Sequence, residues 1–428
     1  MKKILLSVAF LGLVATTATA QSGTNSPYSR YGLGILGDQS GSFNRGMNGL
    51  GLGFYEHNQV NYLNPASYSQ LDSLTFIFDA GVSGQITNFK EGNVKKNAKN
   101  ADFEYAVAGF RAARHLGVSF GVLPFSNVGY NYSLTKNVGG STTAVYQNTY
   151  KGSGGLHQVY LGMGWMPFNR FSIGANISYL WGSISRSLTN TYSETTVNSI
   201  SKYYSVSVNN FKLDVGAQYT LPAGKNDMLT LGAVYSLGHK LGADLHSDVI
   251  STNSLTQKAD TAKSTISNGL ELPHSFGAGF MWVHKDSWRI GVDYNLQKWS
   301  SLKMPLYSSD SKYTLIDGQY MDRQKFTIGG DWCPSVRSRS YLKRVHYRAG
   351  VSYATPYYKV NGQDGPKELS ASIGFGFPIT NSWNNRSQLN ISAQWVHQAA
   401  KGLITENTFR VNIGFTFNER WFAKWKVE

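Results

Sequence analysis

The chain has 428 residues, a formal net charge of +15, 14% aromatic residues and a single cysteine, Cys333. One cysteine excludes an internal disulfide framework. The 45 glycines, 11 prolines and many aromatics favour long strands whose ends carry Tyr and Trp over a helical bundle.

Lys2 and Lys3, an apolar run from Ile4 to Val14 and the sequence Ala18-Thr19-Ala20 have the order of a secretory signal peptide. The apolar run is too short for a spanning helix, which needs roughly 20 apolar residues. Residues 1–20 are therefore expected to be removed, leaving a mature chain that begins at Gln21. Because Gln and not Cys follows the cleavage site, a lipoprotein anchor is not expected. Export also makes nucleic acid a poor partner for the positive charge. On an outer-membrane protein that charge would face phosphate-bearing lipid head groups, including lipopolysaccharide, or an anionic ligand.

Residues 21–72 form an N-terminal segment with no sustained period. Its centre, GSFNRGMNGLGLGFYEHNQVNYLNPASYS from Gly41 to Ser69, is rich in Gly and Asn and ends in Asn64-Pro65-Ala66. Nothing downstream resembles it, and it is too irregular to join a sheet. The economical expectation is a plug, or hatch, inside a barrel.

From Ser73 onward the chain alternates. Phe171, Ile173, Ala175, Ile177, Tyr179 and Trp181 share one face, and Ser172, Gly174, Asn176 and Ser178 the other. The same pattern recurs around Leu229–Leu237, Trp288–Leu296 and Phe409–Phe417. Strands are predicted near 73–87, 102–113, 116–134, 142–166, 170–189, 203–221, 227–240, 272–284, 287–301, 324–334, 343–357, 367–378, 386–397 and 408–418. These make about fourteen strands, and an even number suits closure of a bacterial membrane barrel. Short connections such as His284 to Ser287 alternate with long ones such as Leu241 to Glu271 and Leu302 to Arg323. The expected architecture is all-β, a transmembrane antiparallel barrel over 73–418, with residues 419–428 as a periplasmic tail. A soluble β-sandwich or propeller would also alternate, but it fits the strand lengths and loop pattern less well.

By strand parity Lys212, Asp214, Arg289, Asp293, Lys325, Asp331, Arg348 and Arg410 point into the lumen. A charge on the lipid face costs about 2 to 4 kcal/mol at mid-membrane, so the inward assignment follows once the barrel is accepted. Each inward Arg or Lys either holds a ligand carboxylate or pairs with a neighbouring Asp and fixes the plug; the structural role is the expected one for any single residue.

Three catalytic-looking features are weak. Gly32-Leu33-Gly34-Ile35-Leu36-Gly37 matches a dinucleotide fingerprint without a strand before it or a βαβ unit around it. Gly117-Val118-Ser119-Phe120-Gly121 matches the nucleophile elbow, yet alternation continues straight through Ser119. The nine histidines have no metal-ligand spacing. No enzyme, cofactor or metal is expected, although a triad assembled from separate strands is beyond the reach of local motifs.

The chain resembles the FadL-like outer-membrane transporters of long-chain fatty acids and other hydrophobic compounds. The resemblance is carried by Asn64-Pro65-Ala66 after the Gly-rich segment, by KGSGGLHQVYLGMGW with FSIGANISYLWG, and by LDVGAQY with LTLGAVYSLG. It continues through LPHSFGAGFMW, DYNLQKWS and YRAGVSY, and so spans about residues 45 to 417. It implies a fourteen-stranded barrel closed by a hatch containing Asn64, Pro65 and Ala66, and a hydrophobic ligand released sideways into the membrane beside a kinked strand. Either Gly152–Gly155 or Pro124–Asn127 would be the distortion. The longer polar N-terminus and the tail with Trp421, Phe422 and Trp425 depart from the family's better-known members. They leave room for two other readings: an accessory subunit of an outer-membrane assembly or secretion complex that docks partner proteins, or a general porin.

Overall fold

The computed structural model describes residues 23–139, 144–194, 196–307, 313–379 and 387–420. The expected signal peptide and nearly all of the expected tail lie outside the described residues.

Fourteen strands close into one antiparallel barrel. They are β1 (Thr75–Glu91), β2 (Val94–Ala113), β3 (Leu116–Asn137), β4 (Val145–Phe168), β5 (Phe171–Tyr192), β6 (Ser199–Pro222) and β7 (Asp227–Ser236), followed by β8 (Ser275–His284), β9 (Trp288–Gln297), β10 (Arg323–Trp332), β11 (His346–Ala354), β12 (Lys367–Ile379), β13 (Ser387–Ala399) and β14 (Thr405–Arg420). Closure is made by β1 against β14, with Thr75 opposite Arg420 and Lys90 opposite Thr405. The strand count and antiparallel order agree with the periodicity of the sequence.

The burial pattern is that of a membrane barrel turned outward. Ile373 is 60% exposed on the outer face, whereas Asp79 and Asn412 are 0% and 2% exposed on the inner one. Every strand that alternates in sequence places its apolar residues outside and its Ser, Asn, Gln and Thr inside, the reverse of a soluble barrel and the arrangement that lipid stabilises.

One end of the barrel carries tight turns, such as Asn169-Arg170 and Lys285 to Ser287. The other end carries long connections, several of which fold on themselves. Leu245–Thr252 and Ala259–Ile266 form a hairpin that extends β6, with Leu245 opposite Val206. Met304–Tyr307 pairs with Tyr313–Ile316.

Residues 23–72 pack against inward-facing side chains of the wall. Asn48 donates to Ser352 Oγ and Ser370 Oγ at 2.8 and 2.7 Å and accepts from Gln394 at 2.8 Å. Asp293 accepts the backbone N–H groups of Gly51 and Leu52 at 2.7 and 2.9 Å. Gln59 bonds Gln388, and Thr416 donates to Gln59. The segment lacks a sustained period because its backbone groups are satisfied piecemeal, by short local turns and by wall side chains, not by a continuous ladder.

Candidate functional site

The barrel wall is not uniformly zipped. β2 and β3 pair only from Ala113 opposite Leu116 to Ala106 opposite Val122. Beyond that level β2 keeps its pairing with β1 and β3 keeps its pairing with β4, but the two strands part from each other. The split begins where Phe103 and Val122 still face outward at 38% and 37% exposure, within the apolar belt.

Three local irregularities lie beside this split. A bulge in β2 between the pairs of Gly81 and Val82 leaves Glu104 without an opposite residue. A second bulge, at Phe125, shifts the register of β3 between Pro124 and Ser126. Opposite it, Gly154 and Gly155 have φ of 108° and 148°, backbone angles that residues with a Cβ rarely adopt. The two breaks anticipated at Pro124–Asn127 and Gly152–Gly155 therefore face each other across one hairpin. The glycines bend within a single continuous strand and do not make an extra turn.

The freed edge of β3 is taken by the N-terminal segment. Ile35 pairs with Asn127 and Leu36 with Ser126, and the Gly37 N–H donates to the Phe125 carbonyl at 2.8 Å. Gly34 has φ +94°, and a Cβ there would lie 2.5 Å from the Asn127 carbonyl oxygen. Across the split Asn127 donates to Asp102 at 3.1 Å.

Behind the split lies a cavity of about 340 Å³. Asp102 and Glu104 of β2, Leu123, Phe125 and Asn127 of β3, and Asp38 and Gln39 of the N-terminal segment line one side. Lys212, Asp214, Lys325, Gln394, Glu406 and Arg410 line the rest. Although burial works against its ionised form, Lys325 and Arg45 hold the Asp38 carboxyl below its ordinary range. The chamber is thus lined by polar and charged groups, with a few apolar side chains nearest the split.

Toward the long-loop end the lumen is dry and occupied. Tyr28 and Leu33 of the N-terminal segment pack with Val128, Leu156, Leu180, Ile184, Val208, Trp299 and Tyr357. Trp299 and Tyr357 have ring centroids 4.5 Å apart. Apolar volume of the kind a hydrophobic guest would use is filled here by the chain itself.

Asn64, Pro65 and Ala66 sit elsewhere, toward the tight-turn end, and do not line the cavity. Asn64 donates to the carbonyls of Leu52 and Ala217 at 2.8 and 3.2 Å and accepts from the Ala66 N–H at 3.1 Å, capping the short 3-10 turn Pro65–Gln70. Gly164, Gly174 and Gly216 let this turn lie directly on β4, β5 and β6, since a Cβ at any of them would overlap it.

Four of the inward cations fall into two groups. Arg289 bridges Asp331 at 2.9 Å and Glu56 at 2.6 Å, and Arg348 bonds Asp331 at 2.9 Å with Asn390 and Gln388 beyond. Both are held in a network at the tight-turn end, joined by His346. Lys212, paired with Asp214, and Arg410, which donates to Gln85 at 2.9 Å, reach the cavity instead. The sequence reading missed Asp38, Asp102 and Arg45. It also missed Glu104, which is buried against Arg45 at 2.8 Å. Glu104 escapes parity because its bulge turns two successive residues, Glu104 and Tyr105, inward.

Among the described residues no group of three or more His, Cys, Asp and Glu side chains is placed to hold a metal. Ser119 lies within β3 and donates to the Ala108 carbonyl at 2.9 Å, as expected of an ordinary strand residue.

Barrel, lumen segment and lateral split together define a transmembrane β-barrel with the fold of the FadL-like hydrophobic-compound channels. The Pseudomonas putida toluene transporter TodX matches with a TM-score of 0.63 at 14% identity, covering 91% of this chain and 100% of that one. The Ralstonia pickettii toluene transporter TbuX matches with a TM-score of 0.58 at 15% identity, covering 89% and 98%. A Pseudomonas aeruginosa FadL homologue gives 0.58 at 14% identity, covering 90% and 98%. No curated protein matches the sequence. The chain belongs to the BamG family, whose family model matches residues 1–428.

Proposed function

We propose that this protein is an outer-membrane channel that takes up hydrophobic or amphipathic compounds, long-chain fatty acids among them, and releases them sideways into the membrane between β2 and β3. The observation that carries this reading is the split itself: two wall strands part within the apolar belt, and residues on both sides of the parting line the central cavity. The toluene transporters and the FadL homologue share the fold, which supports a hydrophobic cargo. An acyl chain gains about 0.8 kcal/mol per buried CH2, so binding would fall steeply with chain length and depend less on the head group. A displacement series of fatty acids of increasing length tests this; equal affinity for short and long chains would contradict it.

A second reading has its own support. The apolar compartment is already packed by Tyr28, Leu33 and their neighbours, and wall side chains bond the N-terminal segment at several points. A barrel filled in this way suits an accessory subunit of an outer-membrane assembly or secretion complex. In that case the purified protein would carry stoichiometric partner proteins and no exchangeable ligand.

A further inference from the structure

The β1–β2 hairpin rises beyond the apolar belt, and its outward face changes character abruptly. Val82 and Ile86 of β1 and Phe409 of β14 are exposed apolar residues of the belt. Ile86 stands opposite Lys99, Asn88 opposite Asn97, and Lys90 opposite Lys95. Parity therefore stacks Lys99, Lys95 and Lys90 on the same outward face, directly above the belt. On the other side of β1, Asn88 is paired with Asn407 of β14.

Two features distinguish this patch from an ordinary solvated surface. Lys90 and Lys95 are directly opposed like charges, a cross-strand pair that destabilises a hairpin in water unless an anion lies between them. The salt bridges formed by the described residues include none of these three lysines. Glu91, the one carboxylate at the tip, alternates onto the opposite face and stands across from Val94. A cleft of about 540 Å³ at the hairpin tip is lined by Lys90, Lys95, Asn88, Asn97 and Asn407 of this face, and by Phe89 and Lys96, which alternate onto the other; asparagine amides donate to oxyanions.

We propose that this face is a binding site for a phosphate-bearing lipid of the outer leaflet, with acyl chains along Ile86 and Phe409 and phosphate against Lys90, Lys95 and Lys99. The continuity of apolar belt and cationic patch on one face selects a lipid over a soluble anion. The proposal rests on the membrane placement of the barrel and is independent of what the lumen carries.

The test is binding of diphosphorylated lipid A to the detergent-purified full-length protein by native mass spectrometry, beside the triple variant Lys90→Gln, Lys95→Gln, Lys99→Gln. Screened lysines near a membrane surface contribute enough that the triple variant should bind on the order of tenfold or more weakly. Dephosphorylated lipid A should bind the unaltered protein as weakly as lipid A binds the variant. A control variant outside the patch, Lys151→Gln on β4, should bind normally. Equal binding by the triple variant, or equal binding of the dephosphorylated lipid, would overturn the site. Fatty-acid displacement measured on the same triple variant should be unchanged, so that loss of the lipid site and failure of the channel reading give different results.

Discussion

Asn127 reaches across the parting of β2 and β3 to Asp102 at 3.1 Å, a side-chain bond where the neighbouring strands share backbone bonds only below. Together with the two rungs of Ile35 and Leu36 on β3, it closes the parting. Gly34 holds that closure in place, because its φ of +94° and its approach to the Asn127 carbonyl exclude a side chain. Gly34→Val is expected to lift the Ile35–Leu36 rungs off β3 and speed entry of a fluorescent fatty acid, while circular dichroism shows the strand content of the barrel unchanged. Unchanged uptake with an intact barrel would mean that this strand does not gate the split.

The Arg45–Glu104 pair is buried at 2.8 Å, and Arg45 also donates to the carbonyls of Ser40 and Asp38. Breaking a buried pair from one side costs about 3 to 5 kcal/mol, because the remaining charge loses its partner. Glu104→Gln should therefore release residues 38–49 to hydrogen exchange and trypsin without unfolding the barrel. The double change Arg45→Met with Glu104→Gln should restore much of the protection, which a thermodynamic cycle would report as coupling. Additive effects would contradict the pairing.

Asn64 combines a cap with two bonds to carbonyls buried against the wall. Loss of a cap costs about 1 kcal/mol, and an orphaned buried carbonyl costs about 1 to 3 kcal/mol. Asn64→Ala is predicted to raise exchange specifically in residues 64–70 while leaving ligand affinity little changed, since the residue lies away from the cavity. A selective loss of affinity with unaltered exchange would instead place Asn64 in ligand binding.

The barrel was legible because lipid imposes a period of two on every strand that crosses it. Where that demand lapses, so does the signal. The run from Val94 to Ala101 belongs to β2 but reads as loop, since above the belt its lysines and asparagines need no alternation. Conversely, apolar residues beyond Ser236 and Gln297 suggested longer strands, but they turn inward over the lumen, where Leu241 and Trp299 join the dry cluster. The lumen segment was recognisable as a plug candidate from its lack of period. Its contacts were not legible, because Asn48 meets Ser352 and Gly51 meets Asp293 across hundreds of residues. Bulges hid Glu104 by breaking the parity on which inward assignments rest.

Cys333 follows β10 at the tight-turn end and is fully buried. Burial, with Asp331 adding to it, pushes the thiol up to about 11. A free cysteine titrates near pH 8.5, so raising the pH to about 9 would activate an exposed thiol but leave this one protonated. Iodoacetamide should modify Cys333 only after denaturation, because burial keeps the reagent from the thiol and at pH 9 only about one per cent of a thiol titrating near 11 is thiolate. Rapid labelling of the folded barrel would show that this end opens in solution.

The most direct test of the channel reading is lipid extraction and mass spectrometry of the barrel purified in mild detergent, followed by challenge with added long-chain fatty acid. The account predicts a bound acyl compound that the added fatty acid displaces. A barrel that is empty and accompanied by stoichiometric partner proteins would contradict it, and would assign the filled lumen to an assembly or secretion subunit that keeps the transporter fold without its cargo.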